Sequence, residues 1–140
     1  MSDPHHLQRF ILAQDPVYEM ACEELRQGYK RTHWMWFIFP QLAGLGHSEM
    51  ARRYAIASID EAHAYLGHPV LGSRLRECCR IVLGLSGRSA NEIFGYPDDM
   101  KFHSSLTLFS HVTEEGDVFD ACLAKYFDGE PDQQTLNGLQ

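Results

Sequence analysis

Two short segments hold most of the side chains in this sequence that could do chemistry. One is KRTHWMWFIFPQ at 30–41, where Lys30 and His33 stand beside Trp34, Trp36 and Gln41. The other is DDMKFHSSLT at 98–107, with Asp98, Lys101, Ser104, Ser105 and Thr107. On a helix, Lys101 lies one turn from Ser104 and Ser105, within reach for an ammonium to meet a hydroxyl. The order Ser-x-x-Lys is how some acyl enzymes activate serine. Here the order is reversed, and side chains lean toward the helix N-terminus, so a polar patch for an anionic or amide-rich ligand is the better functional reading. The competing reading makes the hydroxyls close-packing groups and lets Lys101 snorkel to water.

The aromatic segment admits a helix or an extended strand, and neither leaves it a polar side. A segment apolar all round is buried all round, so it should run through the middle of the fold with helices about it. Trp34 and Trp36 then need acceptors for their indole N–H groups and His33 needs partners for its ring nitrogens. A histidine held that way is either a structural group or the acid or base of a site.

Eight histidines invite a metal reading. His103 and His111 share a helical face, but eight residues put them about 12 Å apart along the axis, too far to share an ion. His63 and His68 flank Gly67 with no accompanying carboxylate signature. No metal is therefore expected, and no particular cofactor is indicated. Cys22, Cys78, Cys79 and Cys122 lie inside helical patterns without a C-x-x-C pair, as reduced buried thiols do. The loop from Gly44 to Gly46 could offer N–H groups to a phosphate, yet it lacks both Walker and Rossmann spacing.

The elements that must position these groups are helical. Apolar spacing near 3.6 recurs along most of the chain and two-residue alternation hardly appears. Helices are expected from His5 to Ala13 behind Asp3 and Pro4, and from Asp15 to Gln27 with Val17, Met20, Ala21 and Leu25 inward. Ser48 caps a short helix through Tyr54. Ser58 with Glu61, and Ser89 with Glu92, read as capping boxes. A longer helix covers Val70 to Leu83 with Val70, Leu71, Leu75, Cys78, Cys79 and Val82 inward. Pro97 opens a helix through Val112, Asp117 to Phe127 forms another, and PDQQTLNGL supplies the last. The expected architecture is an all-α, compact single domain over residues 1–140, with its core from about 7 to 139: an irregular bundle of about seven to nine short helices around a central aromatic segment.

A chain of 140 residues can bury a sufficient core without disulfides or metals. Its net charge of −7 opposes phosphate backbones, and the basic clusters at 26–31 and 52–53 are too small for a nucleic-acid track. The longest apolar run breaks at Pro40 and two glycines, short of the ~20 residues of a membrane span. MSDPHHLQRF has none of the features of a signal peptide, so a cytoplasmic location is expected.

The motifs K-x-x-H-W-M-W-F-I-F-P-Q (30–41), Y-A-I (54–56), H-P-V-L-G-x-R-L (68–75), F-G-x-P-D-D-x-K-x-x-S-S-x-T-L-F (94–109) and D-x-x-T-L (132–136) resemble the bacterial family catalogued as domain of unknown function 1810. The resemblance covers nearly the whole chain and implies a mainly helical domain in a bacterial cytoplasm, with no established activity. Where the fourth motif typically has Met, this chain has Leu106, a volume-conserving change. The label calpastatin, often attached to members, does not fit, because that inhibitor is long and disordered.

The resemblance gives weight to one grouping of residues, which mixes aromatic walls with polar groups as small-molecule pockets do. In it His33, Lys30 and Lys101 are the candidates for acid–base and charge roles, and Trp34, Trp36, Gln41, Asp98, Ser104, Ser105 and Thr107 are candidates for binding. The expected function is a small-molecule-binding or catalytic domain with a nucleotide-like anionic ligand, since a flat ring with an anionic group suits aromatic walls and lysines. The alternative is a protein-interaction or homodimeric structural module with no catalytic activity, in which these residues only build the core.

Overall fold

A computed structural model of the chain describes residues 2–140, and these form ten helices. In chain order they are α1 (Gln8–Gln14), α2 (Tyr18–Arg26), α3 (Met35–Ile38), α4 (Glu49–Arg53), α5 (Ile59–Gly67), α6 (Leu71–Leu83), α7 (Ala90–Phe94), α8 (Asp98–His111), α9 (Val118–Phe127) and α10 (Gln133–Gly138). The all-α reading holds. The extra helix is α3, a single turn inside the aromatic segment, whose sequence fits helix and strand equally well. The chain has no strand among the described residues, only one parallel bridge between Leu42 and Ile56.

Two helices organise the bundle. α6 packs against α2, α5 and α9, and α8 packs against α5, α7, α9 and α10. α6 is buried along Leu71, Leu75, Cys78, Cys79 and Val82. At its start Val70 is 37% exposed instead of inward, because the helix begins only at Leu71. Met20 likewise turns out to solvent, and the inward face of α2 consists of Ala21, Cys22, Glu24 and Leu25. Its rotation follows from Val17, Ala21 and Leu25 at four-residue spacing, which leaves Met20 to one side.

The caps account for the boundaries. The Asp3 carboxylate accepts from the N–H groups of Leu7 and Gln8, with His6 in a left-handed conformation, so α1 starts later than His5. Ser89 and Glu92 form the reciprocal box. The Ser58 hydroxyl accepts from Glu61 N–H, but the Glu61 side chain is turned to Ala57 N–H and Arg9, so only half of that box exists. The Arg9 guanidinium also donates to the carbonyls of His5, His6, Arg53 and Ala55, tying the chain start to the strap before α5.

Most of the aromatic segment is sealed. Trp34, Met35, Phe37, Ile38 and Phe39 are all buried, and Phe39 packs edge-on against both Phe94 and Phe102. The expectation of burial on every side fails at two positions, since Trp36 is only half-buried and His33 is exposed. A one-turn helix at the rim of a bundle has one face with nothing to cover it, and α3 turns Trp36 to that face.

Candidate functional site

Beside Trp36 the surface opens into a cleft between the segment after α3 and the start of α8. Its main part, about 200 Å³, is lined by Gln41, Leu45, Gly46, Tyr96, Pro97, Met100, Lys101, Ser104, Asp132 and Gln134. A narrower recess of about 10 Å³ lies under Trp36, Tyr54 and Phe39 and shares Gln41 and Lys101 with it. That recess has room for one water molecule. Gln41 is held there by the chain itself, because its carbonyl accepts from Ile56 N–H while Ala43 N–H donates back to Ile56.

Charge at the cleft is organised by one acid, Asp98, between two lysines. The ammonium of Lys30 lies 2.9 Å from Asp98, donates to the Thr32 carbonyl at 2.6 Å and sits 4.9 Å above the Trp34 ring. With its side chain 7% exposed, it is fully committed inside the protein. The other Asp98 oxygen faces Lys101 at a looser 3.6 Å, and Lys101 leans over Trp36 at 5.5 Å. Lys101 is thus the ammonium of this pair that remains available, held by one weak ion pair and a cation–π contact.

Glu24 is the group that sequence reasoning missed. Buried on α2, it accepts from Arg31 N–H, Thr32 N–H, the Thr32 hydroxyl and Trp34 Nε1, at 2.6 to 3.1 Å. Burial alone would raise its pKa, but these donors outweigh it and hold the carboxyl below the ordinary glutamate value. The sequence does carry a signal: Glu24 follows Ala21 by three residues and adjoins Leu25, so it lies on the inward stripe. By fixing residues 31–34, Glu24 sets where Lys30 and α3 can be.

The ten candidate residues are therefore not equivalent. Trp36, Gln41, Lys101 and Ser104 line the cleft or its recess, and Lys30 and Asp98 stand behind Lys101. Trp34 is fully buried beneath Lys30. Exposed His33 lies 6.5 Å from the Trp36 ring and outside the cleft lining. The Thr107 hydroxyl accepts from Asp132 N–H and donates to the His103 carbonyl, so it supports α10 from within. Ser105 is buried with a hydroxyl that has no partner among the described residues. Asp132 and Gln134, on the far wall, were not singled out by type or spacing; they reach the cleft because α10 packs on α8.

A larger open groove, about 500 Å³, runs along α6. Its three arginines are each matched by a carboxylate: Arg74 by Asp15, Arg76 by Asp117 and Arg80 by Glu77. Paired arginines on an open surface offer a ligand less than Lys101, which stands over the Trp36 ring in a narrower cleft, so volume does not select the site. Among the described residues no three His, Cys, Asp or Glu side chains converge as metal ligands, and no helix is long and apolar enough to cross a membrane. His103 stacks on Phe127 with ring centroids 4.0 Å apart, and its Nε2 meets the Glu130 carbonyl, so its ring is used in packing.

A family model described as "Protein of unknown function (DUF1810)" matches residues 4–139. Among solved structures, the crystal structure of the conserved hypothetical protein Rv1873 from Mycobacterium tuberculosis is 55% identical. Each chain is covered over 98% of its length, with a TM-score of 0.96. Comparison with the curated proteins finds no match.

Proposed function

Since the chain belongs to the DUF1810 family of proteins of unknown function, we propose from its geometry that this member binds a small organic molecule in the cleft between α3 and α8, through an anionic group on Lys101. The observation that carries this reading is the state of the polar groups facing the cleft. Lys101 has one loose ion pair, and the Gln41 carboxamide makes no hydrogen bond within the described protein. Groups left in that state in a concave site are what a ligand satisfies.

Apolar surface supports the same location. Tyr96 and Met100, 77% and 54% exposed, both line the cleft, where they offer a platform beside the charge. A cleft of about 200 Å³ is smaller than the roughly 300–1,000 Å³ of a drug-sized site. The ligand that fits is accordingly a planar or apolar moiety with one anionic group, closer to a part of a nucleotide than to a whole one.

Thermal-shift and ligand-observed NMR screening against small metabolites tests the proposal. Binding stabilises the native state by linkage, by about 2.7 kcal/mol at a ligand concentration one hundred times Kd. Lys101→Met and Gln41→Leu should remove that stabilisation while the protein stays folded. If hits bind both variants as well as they bind the natural sequence, the cleft is not the site.

A further inference from the structure

Resting on the reading of the cleft as a small-molecule site, we propose that its ligand is a zwitterion of the free amino-acid class, with its carboxylate on Lys101 and Gln41 and its ammonium on Asp132. The cleft carries charges of both signs on adjoining walls. Lys101 and Ser104 are one turn apart on α8, and the Ser104 hydroxyl donates to Asp132 Oδ2 at 3.2 Å. The acid is thus tied one helical turn beyond the cation, in the same cleft.

Asp132 is held in an unusual division of labour between its two oxygens. Oδ2 accepts from the Ser104 hydroxyl, from Thr135 N–H at 3.1 Å and from the Thr135 hydroxyl at 2.6 Å. Its own N–H donates to the Thr107 hydroxyl at 2.8 Å. Backbone and one oxygen are therefore pinned. Oδ1 makes no hydrogen bond within the described protein and is left as an acceptor at a wall of the cleft.

This pairing discriminates among ligands. A simple anion on Lys101 lies near the Asp132 charge, and a simple cation on Asp132 lies near Lys101; each meets repulsion from the like charge. A molecule with a carboxylate and an ammonium on one carbon satisfies both walls. Gln41, with a free carbonyl oxygen and a free NH₂ group, can accept from one end and donate to the other. The remaining part of such a ligand would lie along Leu45, Tyr96 and Met100, so an apolar or aromatic side chain is favoured.

The test is an NMR titration of the full chain with the twenty free amino acids, following the side-chain amides of Gln41 and Gln134. The strongest binder is then compared with its N-acetyl, α-carboxamide and des-amino derivatives. A saturable shift with the amino acid, and at least tenfold weaker binding of all three derivatives, is the expected result. Asp132→Asn, which keeps an N-cap residue, should cost the amino acid about the same factor and let the des-amino acid, relieved of a like charge, bind as well or better. If the des-amino acid binds as tightly as the amino acid, the zwitterion assignment is overturned and the anion site on Lys101 stands. If neither amino acids nor simple carboxylates perturb the cleft, both fall.

Discussion

The indole Nε1 of Trp34 donates to the Glu24 carboxylate across 3.1 Å, so the largest of the fully buried side chains is anchored by a buried charge. That contact joins α2 to the aromatic segment and, through Thr32 and Lys30, to Asp98 at the start of α8.

Replacing Glu24 by Gln keeps the shape but leaves an NH₂ group facing donors. The expected loss of stability is about 3 kcal/mol, the scale of breaking a buried, hydrogen-bonded charge. Urea unfolding at pH 7 checks it, and a loss under about 1 kcal/mol would count against the network.

The pH dependence has a definite sign. The folded pKa of Glu24 is depressed below its ordinary value of about 4.5. Its contribution is present above that value and disappears as pH falls through the folded pKa. Glu24→Gln should therefore show a smaller drop in stability between pH 7 and pH 3 than the natural sequence does. Equal slopes for the two proteins would show that another group carries the acid sensitivity.

The two lysines should behave differently. Lys30→Met removes a nearly buried ammonium from Asp98 and the Thr32 carbonyl, and about 2 kcal/mol of destabilisation is expected. Lys101→Met breaks only a loose, partly exposed pair at 3.6 Å, worth about 0.5 kcal/mol. Thermal denaturation of both variants gives the ranking, and the reverse order would mean that the roles assigned to the lysines are exchanged.

A backbone contact sets a fourth expectation. A Cβ on Gly72 would lie 2.1 Å from the Leu66 carbonyl oxygen, so Gly72→Ala should cost about 2 kcal/mol or more through forced separation of α5 and α6. At Gly67 a Cβ would meet nothing within 4 Å, and Gly67→Ala should be neutral or stabilising by up to about 1 kcal/mol. Chemical denaturation of the pair distinguishes steric contact from a general intolerance of glycine replacement.

All four thiols are buried. Pairing with the Cys78 thiol and the Tyr18 hydroxyl lowers the pKa of Cys22 to about 7, while the same pairing and burial push Cys78 up. Access, not acidity, should control reactivity. A small aromatic disulfide reagent at pH 8 should label the native protein slowly, with all four thiols reacting together on unfolding. Fast labelling of Cys22 in the native state would show that the groove beside Tyr18 opens onto it.

Much of the fold was legible because local chemistry decides helix ends. Ser48, Ser58, Ser89 and Asp117 each accept an N–H of the helix that follows, and each was readable as a start; Asp132 caps α10 in the same way, one residue after the Pro131 at which that helix was expected to begin. Errors arose where a boundary depended on a distant partner. Glu61 left its expected bond for Arg9 and Ala57, which no local pattern reveals.

The candidate site was legible as two segments rich in suitable side chains, and they do converge, since Asp98 holds both Lys30 and Lys101. Their ranking was not. Lys30 and Lys101 are alike as residues, and Trp34 and Trp36 differ by two positions, yet one side chain of each pair is enclosed and the other borders the cleft.

The sequence by itself determined the helical class, most of the caps and the burial of the aromatic segment, because periodicity, capping and apolar content act within a few residues. Only the tertiary structure decided that Glu24 anchors Trp34, that Trp36 is left open, and that Asp132 and Gln134 complete a cleft begun by Gln41 and Lys101. Those relationships join residues far apart in the chain, and they follow from how α10 docks on α8 and how α2 meets α3, which no local spacing encodes.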